Sequence, residues 1–391
     1  MFSIINILQF LCLIPILGGT IFSILTVLTI QYFLKNSKSD IIDSFTPPLT
    51  VLKPVRGLEK NLKHNLCTIA TQDYPNYQVI YSVQDPEDLA FPILKEIQEK
   101  FGSSRISIVV STLEVGANGK INNLLGAIKE ARHDIIVISD SDTNLRPDYL
   151  KKIVAPLDNP EVGCVCTLFK VTKGDSWFEK MELLSINADF IPSVIFAEVT
   201  GASNACLGPS IAIKQSTLKE IGGLDSLADY LVEDYEIGRR VWTSGKKMIL
   251  LPYIIDTVVS LKNVRDWWTH QVYWDQNTYL AKPIPFIATI LIRSIPFALL
   301  FALIRGDIIG LYNLIGVIII RLITAGITSW KMEDIEGIKS LYLLPFRDIL
   351  GLAFWILSFS QRTVVWRGVK FKVTSHGKMV VCHDLKIGEN N

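Results

Sequence analysis

The sequence is poor in the residues that build metal clusters and redox centres. It has five histidines and six cysteines, with no Cys-x-x-Cys pair and no histidine cluster at zinc spacing, which excludes a zinc ribbon, a thioredoxin-like centre and a disulfide scaffold. Cys164 and Cys166, separated by one residue in VGCVCTLF, share a face on a strand and read as a packed core pair. Reduced thiols fit a cytosol-facing soluble part. An excess of one charge is also missing: 39 Lys and Arg stand against 38 Asp and Glu, so no basic field marks a nucleic-acid partner. No phosphate-binding GxxxxGK[ST] motif, internal repeat or low-complexity linker is present.

What is abundant is apolar, at 49% of residues, and the mean hydropathy of +0.33 is high for a purely soluble chain. Residues 4–34 carry no charge, and about 20 apolar residues suffice to cross a bilayer. This predicts a transmembrane anchor over 1–34. A cleaved signal peptide would need a basic start, and MFSIIN is neutral. Lys35 and Lys38 follow the run, which puts the start outside and the following domain in the cytoplasm.

Apolar character returns over 284–360, interrupted by Arg293, Arg321 and the Arg347–Asp348 pair. Charges at membrane depth need partners or an interfacial position, so two to three spans or a re-entrant segment are expected. Three full spans would put the 361–391 tail outside, yet Arg362, Arg367, Lys370, Lys372 and Lys378 favour the inside. Residues 341–360 are therefore expected to lie in the interface or to re-enter.

Between 48 and 275, short apolar runs (LTVLKPV, YQVIYSVQD, ISIVVST, DIIVISDSD, VGCVCTLF) alternate with helix-like stretches such as PILKEIQEKF. The pattern predicts βαβ units and a mostly parallel α/β sheet. Ligands of such sheets bind at the carboxyl ends of strands, where Asp85, Asp140 and Asp142 fall.

Asp140 and Asp142 face the same way on an extended segment, suited to one hard divalent cation bridging a diphosphate. Asp85, ending YSVQD, has the position of a base- or ribose-binding carboxylate or of a turn carboxylate before Pro86. In GANGKINNLLGA, Lys120 opens an apolar-periodic helix, where a cation beside free amides can face a phosphate. In LVEDYEIGRRV, Glu233 and Asp234 are ordinary helix-start carboxylates, or one of them is a base for an acceptor hydroxyl. Trp267, Trp268 and Trp274 suit either the lipid–water boundary or a substrate channel.

VLKPVRGLEKNL, DYPNYQVIYSVQD, GKINNL, DSD and VEDY, in this order, with a fainter echo at LPFRDI, resemble the ceramide glucosyltransferase-like branch (family 21) of the membrane-bound, family-2-like glycosyltransferases. The resemblance runs from Val51 to Trp274. It implies a GT-A fold, with an N-terminal transmembrane anchor and C-terminal hydrophobic helices around it, and an inverting transfer of a hexose from a UDP-sugar, UDP-glucose first, to the primary hydroxyl of a membrane lipid, ceramide first. Diacylglycerol, hopanoid or polyprenyl phosphate acceptors, and a nucleotide-sugar-binding scaffold without turnover, stand as alternatives. Carried over by position, Asp85, Lys53, Lys120 and Asp140 contact the nucleotide sugar. Asp140 and Asp142 hold Mn2+ or Mg2+, and Asp234 is the general base with Glu233 beside it. The closing motif departs from the family pattern of Gln or Arg, two residues, then Arg-Trp: here His270 takes the first place and Tyr273 the arginine's, before Trp274.

Overall fold

The structure, a computed structural model, describes residues 4–36, 45–202, 206–360, 363–366, 369–374 and 377–382. Lys38, Arg362, Arg367 and the terminal KIGENN lie outside the described residues. The chain divides into two compact units, one made of Met1–Asn36, Lys170–Ser203 and Leu261–Gln361, the other of Ser37–Phe169, Asn204–Ser260 and Arg362–Asn391.

The second unit is built on an eight-stranded sheet. Its strands are β1 (Leu49–Pro54), β2 (Tyr77–Val83), β3 (Ile106–Val110), β4 (Ile135–Ser139), β5 (Thr143–Asn144), β6 (Val162–Val171), β7 (Ser210–Lys214) and β8 (Lys247–Thr257), in the order β3-β2-β1-β4-β7-β6-β8-β5. The apolar runs of β1, β2 and β4 are buried almost end to end, as in interior strands of a parallel sheet. Parallel pairing holds for β3-β2-β1-β4. Beyond β4 the sheet is mixed, because β7 runs antiparallel to both β4 and β6, and β5 antiparallel to β8.

This reversal positions the site. The β4–β7 register pairs Ser139 with Ser210, and the Asp140 amide donates to the Pro209 carbonyl at 3.2 Å. The residues before β7 thus lie opposite the acidic end of β4. A second, three-stranded sheet of β9 (Thr363–Trp366), β10 (Val369–Val373) and β11 (Met379–Val381) closes the unit. Its edge holds the segment just ahead of Glu233: the Leu231 amide donates to the Gly377 carbonyl at 3.0 Å and the Met379 amide to the Asp229 carbonyl at 2.7 Å.

The first unit holds the apolar helices. Ile4–Lys35, Ile308–Lys331 and Ile335–Ser358 are each long and apolar enough to cross a membrane, and Pro283–Ile292 with Ser294–Arg305 makes a fourth candidate bent by 48°. Gly18 and Gly19 explain how the bend seats against the first helix. A Cβ at Gly18 would lie 2.3 Å from the Leu291 carbonyl oxygen, and one at Gly19 2.5 Å from that of Ile292, so only glycine admits this approach. On the other side of the break, Cys12, Ile16, Ile295, Ala298, Phe301 and Val317 form an apolar core. Asp307 caps Ile308–Lys331 by accepting from the Gly310 amide, right after Gly306 turns the chain at φ +64°.

Gly19→Leu forces a side chain into that carbonyl contact and is expected to cost about 1–3 kcal/mol. The measurement is thermal unfolding of the detergent-solubilised protein, and an unchanged midpoint would show that the helices do not need this contact.

Candidate active site

Asp140 and Asp142 follow β4 directly, in a turn closed by Thr143, whose hydroxyl donates to the Asp140 carbonyl at 2.9 Å. Beneath the turn lies Lys53 of β1, fully buried. Its Nζ donates to Thr143 Oγ1 at 2.8 Å and Ser139 Oγ at 3.2 Å. Burial pulls the Lys53 pKa down to about 8, against the opposing pull of Asp142, Asp140 and Glu59. Lys53 is thus a cation built under the acidic turn.

Glu59, in VLKPVRGLEKNL, accepts from Ser141 Oγ at 2.7 Å and joins the two aspartates. Burial, with Asp140 adding to it, raises the Glu59 pKa. Burial together with Asp140 and Glu59 holds Asp142 up at about 7. Glu59 and Asp142 are thus pushed toward protonation beside Asp140, a repulsion that a hard divalent cation would relieve. Among the described residues no three His, Cys, Asp or Glu form a ready metal cage, so Asp140 and Asp142 fit an ion that completes its shell with water and phosphate oxygens.

Asn118 caps the helix Gly119–Ala127 by accepting from the Lys120 and Ile121 amides, which fixes Lys120 in the first turn. Its Nζ lies 2.7 Å from Asp140 Oδ1 and 3.1 Å from Glu233 Oε1, and donates to the Gly208 carbonyl at 3.3 Å. Burial disfavours its charge, but Asp140, Glu233 and Asp234 outweigh that and raise its pKa. The same Asn118 donates its side-chain amide to Glu233 Oε2 at 3.0 Å. Both Glu233 oxygens are therefore engaged.

Asp234 differs from its neighbour. Its Oδ1 accepts from the Tyr235 amide at 2.8 Å, and its Oδ2 lies where a Cβ on Gly208 would come within 2.8 Å. Burial and the Glu233 charge, offset in part by Lys120, raise its pKa to about 7. Two adjacent carboxylates thus have different environments, one held by cation and amide and the other poised to exchange a proton near neutrality.

Lys53, Lys120, Asp140, Asp142, Glu233 and Asp234 come together as one site. Asp85 lies past the carboxyl end of β2, exposed, its Oδ1 accepting from the Glu87 amide at 2.9 Å. His270, Tyr273 and Trp274 belong to the other unit, on the helix Val264–Ala281. There His270 Nδ1 meets Glu182 Oε1 at 2.9 Å, and Trp274 Nε1 donates to His270 Nε2 at 3.1 Å. An accepting Nε2 leaves the hydrogen on Nδ1, so His270 orients Trp274. Trp267 is buried against Met181 and Phe354. Glu59 and Gly208 escaped the sequence reading. Glu59 stood in a quoted motif as one more charged loop residue, and Gly208 owes its place to the unforeseen β4–β7 pairing.

The profile of glycosyl transferase family 21 matches residues 13–379. The chain belongs to glycosyl transferase family 21. Ceramide glucosyltransferases 1 and 3 of Caenorhabditis elegans are each 23% identical over 86% of this chain and cover 74% and 75% of their own lengths. An N-acetylglucosaminyltransferase of Rhizobium meliloti is 26% identical over 57% of this chain and 55% of its own. Among solved structures, a mannosyltransferase from Pyrobaculum calidifontis, in complex with GDP-Man and Mn2+, superposes with a TM-score of 0.58 at 18% identity, over 90% of this chain and 98% of that one. The second unit of this family 21 member thus carries the GT-A fold.

Gly208→Ala places a methyl group against the Asp234 carboxylate. The expected effect is a loss of about 10- to 100-fold in kcat with nucleotide-sugar binding retained, read by steady-state kinetics beside a donor-binding titration. Equal kcat would mean that Asp234 tolerates displacement.

Proposed function

We propose that this family 21 member moves glucose from UDP-glucose to the primary hydroxyl of a membrane lipid, ceramide, with inversion at the anomeric carbon. The observation that carries the reading is the unequal pair Glu233 and Asp234 beside Lys120 and the acidic turn. The ceramide glucosyltransferase names of relatives spanning 86% of the chain support the acceptor.

In this mechanism the lipid hydroxyl gives its proton to Asp234 while its oxygen bonds to the anomeric carbon. The bond from that carbon to the diphosphate oxygen breaks, and its electron pair leaves with the nucleoside diphosphate. Lys120 turns from Asp140 and Glu233 toward the departing phosphates, stabilising charge where it grows. Glu233, tied to Asn118, keeps the helix start in place. A divalent cation held by Asp140 and Asp142 would neutralise the diphosphate as a Lewis acid when bound. Asp85 contacts the nucleotide from the end of β2.

For the membrane, we propose that the GT-A unit faces the cytoplasm, in line with Lys35 after the first span, and that Ile335–Ser358 lies along the membrane surface. The basic residues that follow it, Lys370, Lys372 and Lys378, support this, because a third full span would carry them across the membrane. The bent pair and Ile308–Lys331 then make one excursion and return.

Membranes bearing the protein are expected to form glucosylceramide from UDP-glucose with Mn2+ or Mg2+, and chelation to abolish it. Asp234→Asn is expected to lower the rate about 10²- to 10⁴-fold. Product on diacylglycerol alone would move the acceptor, and UDP-glucose binding without product on either lipid would overturn the enzymatic reading. Because the base must be ionised, log kcat/KM is expected to rise with pH up to a break near 7. A break near 4, the ordinary carboxylate range, would remove Asp234 from the role.

Single cysteines at Arg305, Glu333 and Ser360 test the arrangement through an impermeant thiol reagent on sealed vesicles. Arg305 is expected to label from one face, with Glu333 and Ser360 from the other. Glu333 and Ser360 labelling from opposite faces would make Ile335–Ser358 a crossing.

A further inference from the structure

Lys53, Ser139 and Thr143 lie beneath the acidic turn, each sealed from solvent. They come from β1, β4 and β5, so three separate stretches of chain meet at one buried ammonium. Burying such a charge is costly even where hydrogen bonds satisfy it, and an apolar side chain would fill the same space. Packing therefore does not explain a lysine here. Nor does a direct hold on the nucleotide sugar, the role carried over by position: to reach a phosphate from beneath the turn, Lys53 Nζ would have to leave both hydroxyls, at 2.8 and 3.2 Å.

The hydrogens fix the direction of the bonds. An ammonium donates and never accepts, so Thr143 Oγ1 and Ser139 Oγ both accept from Lys53. Thr143 gives its own hydrogen to the Asp140 carbonyl at 2.9 Å, so Ser139 is the donor in its 3.0 Å contact with Thr143. Thr143 Oγ1 thus receives two hydrogens and passes one on. Every bond of the set runs from Lys53 toward the backbone of Asp140.

The rest of the turn is braced from other sides. The Asp140 amide donates to the Pro209 carbonyl at 3.2 Å, Asn65 Nδ2 to the Asp142 carbonyl at 3.2 Å, and Ser141 Oγ to Glu59. At the Asp140 carbonyl the Thr143 amide reaches only to 3.4 Å, so the short bond there is the hydroxyl's. That bond strengthens when its donor hydroxyl itself accepts from a cation, because successive hydrogen bonds polarise one another. Lys53 is thus the charged end of the brace that holds the first aspartate. Resting on the reading of Asp140 and Asp142 as the seat of the donor's cation, we propose that Lys53 is a positioning residue, which through Ser139 and Thr143 fixes the Asp140 backbone and aims the two carboxylates at that cation.

The test reads Mn2+ binding to the full chain in detergent, with UDP present, from the electron paramagnetic resonance of the free ion. Thr143→Val keeps the shape of the side chain and every charge, and is expected to weaken Mn2+ binding about tenfold. Thr143→Ser keeps the hydroxyl and is expected to stay within about twofold of wild type. For Lys53→Met the two accounts differ in sign. Removing a positive charge beside Asp140 and Asp142 tightens a cation if Lys53 acts by charge alone, whereas loss of the brace loosens it, and a loss of about tenfold is expected. Thermal unfolding of each variant reports folding. Thr143→Val binding Mn2+ as wild type does, Thr143→Ser failing to restore binding in a folded protein, tighter binding in Lys53→Met, or a wild type that takes up no Mn2+ overturns the brace. The expected pattern in a chain that transfers to no lipid overturns the proposed function and leaves the brace standing.

Discussion

The GT-A unit is organised around a local excess of negative charge. Glu59, Asp140, Asp142, Glu233 and Asp234 converge on Lys53 and Lys120. Such an arrangement is costly on its own, since like charges at short range in a poorly solvated place repel one another. The fold meets the cost in two ways. It buries an ammonium under the turn, where hydroxyls of Ser139 and Thr143 satisfy it, and it clasps a second between Asp140 and Glu233. The remaining imbalance is negative, and a divalent cation would offset it.

The backbone supports this balance through contacts far apart in sequence. Ser139 opposite Ser210 brings Gly208 to Asp234 and its carbonyl to Lys120. Asn118 caps its own helix and holds Glu233, while its amide donates to the Ala228 carbonyl at 2.6 Å. The 229–231 segment is held again by Gly377 and Met379. A single asparagine and one edge strand thus set the distance between the lysine and the two carboxylates, on which any difference between base and positioning group depends.

Some of this was legible in the sequence and some was not, for definite reasons. Continuous apolar runs ending in acids announced β2 and β4, because a buried strand needs apolar residues on both faces and its carboxyl end opens to ligand. Lys120 was legible as the start of a helix, whereas the cap that Asn118 supplies was not. The direction of a strand leaves no mark in its composition, so the antiparallel β7, and Gly208 with it, stayed hidden. Burial of a lysine is also invisible in a local pattern: LKPV shows a cation in a strand, while only the sheet shows that Ser139 and Thr143 receive it. Likewise Arg347–Asp348 read as an interruption of a hydrophobic stretch, and became intelligible once Asp189 and Arg321 were seen to close an ion-pair square with them.

That square carries a physical contrast with the site in the other unit. Buried charges that pair completely contribute little net stability, yet removing one member leaves an isolated charge and costs several kcal/mol, about 3–5. The carboxylate-rich turn has the opposite property, since an added cation would relieve its imbalance. One unit therefore balances its buried charges among themselves, while the other leaves carboxylates in excess around Lys53 and Lys120.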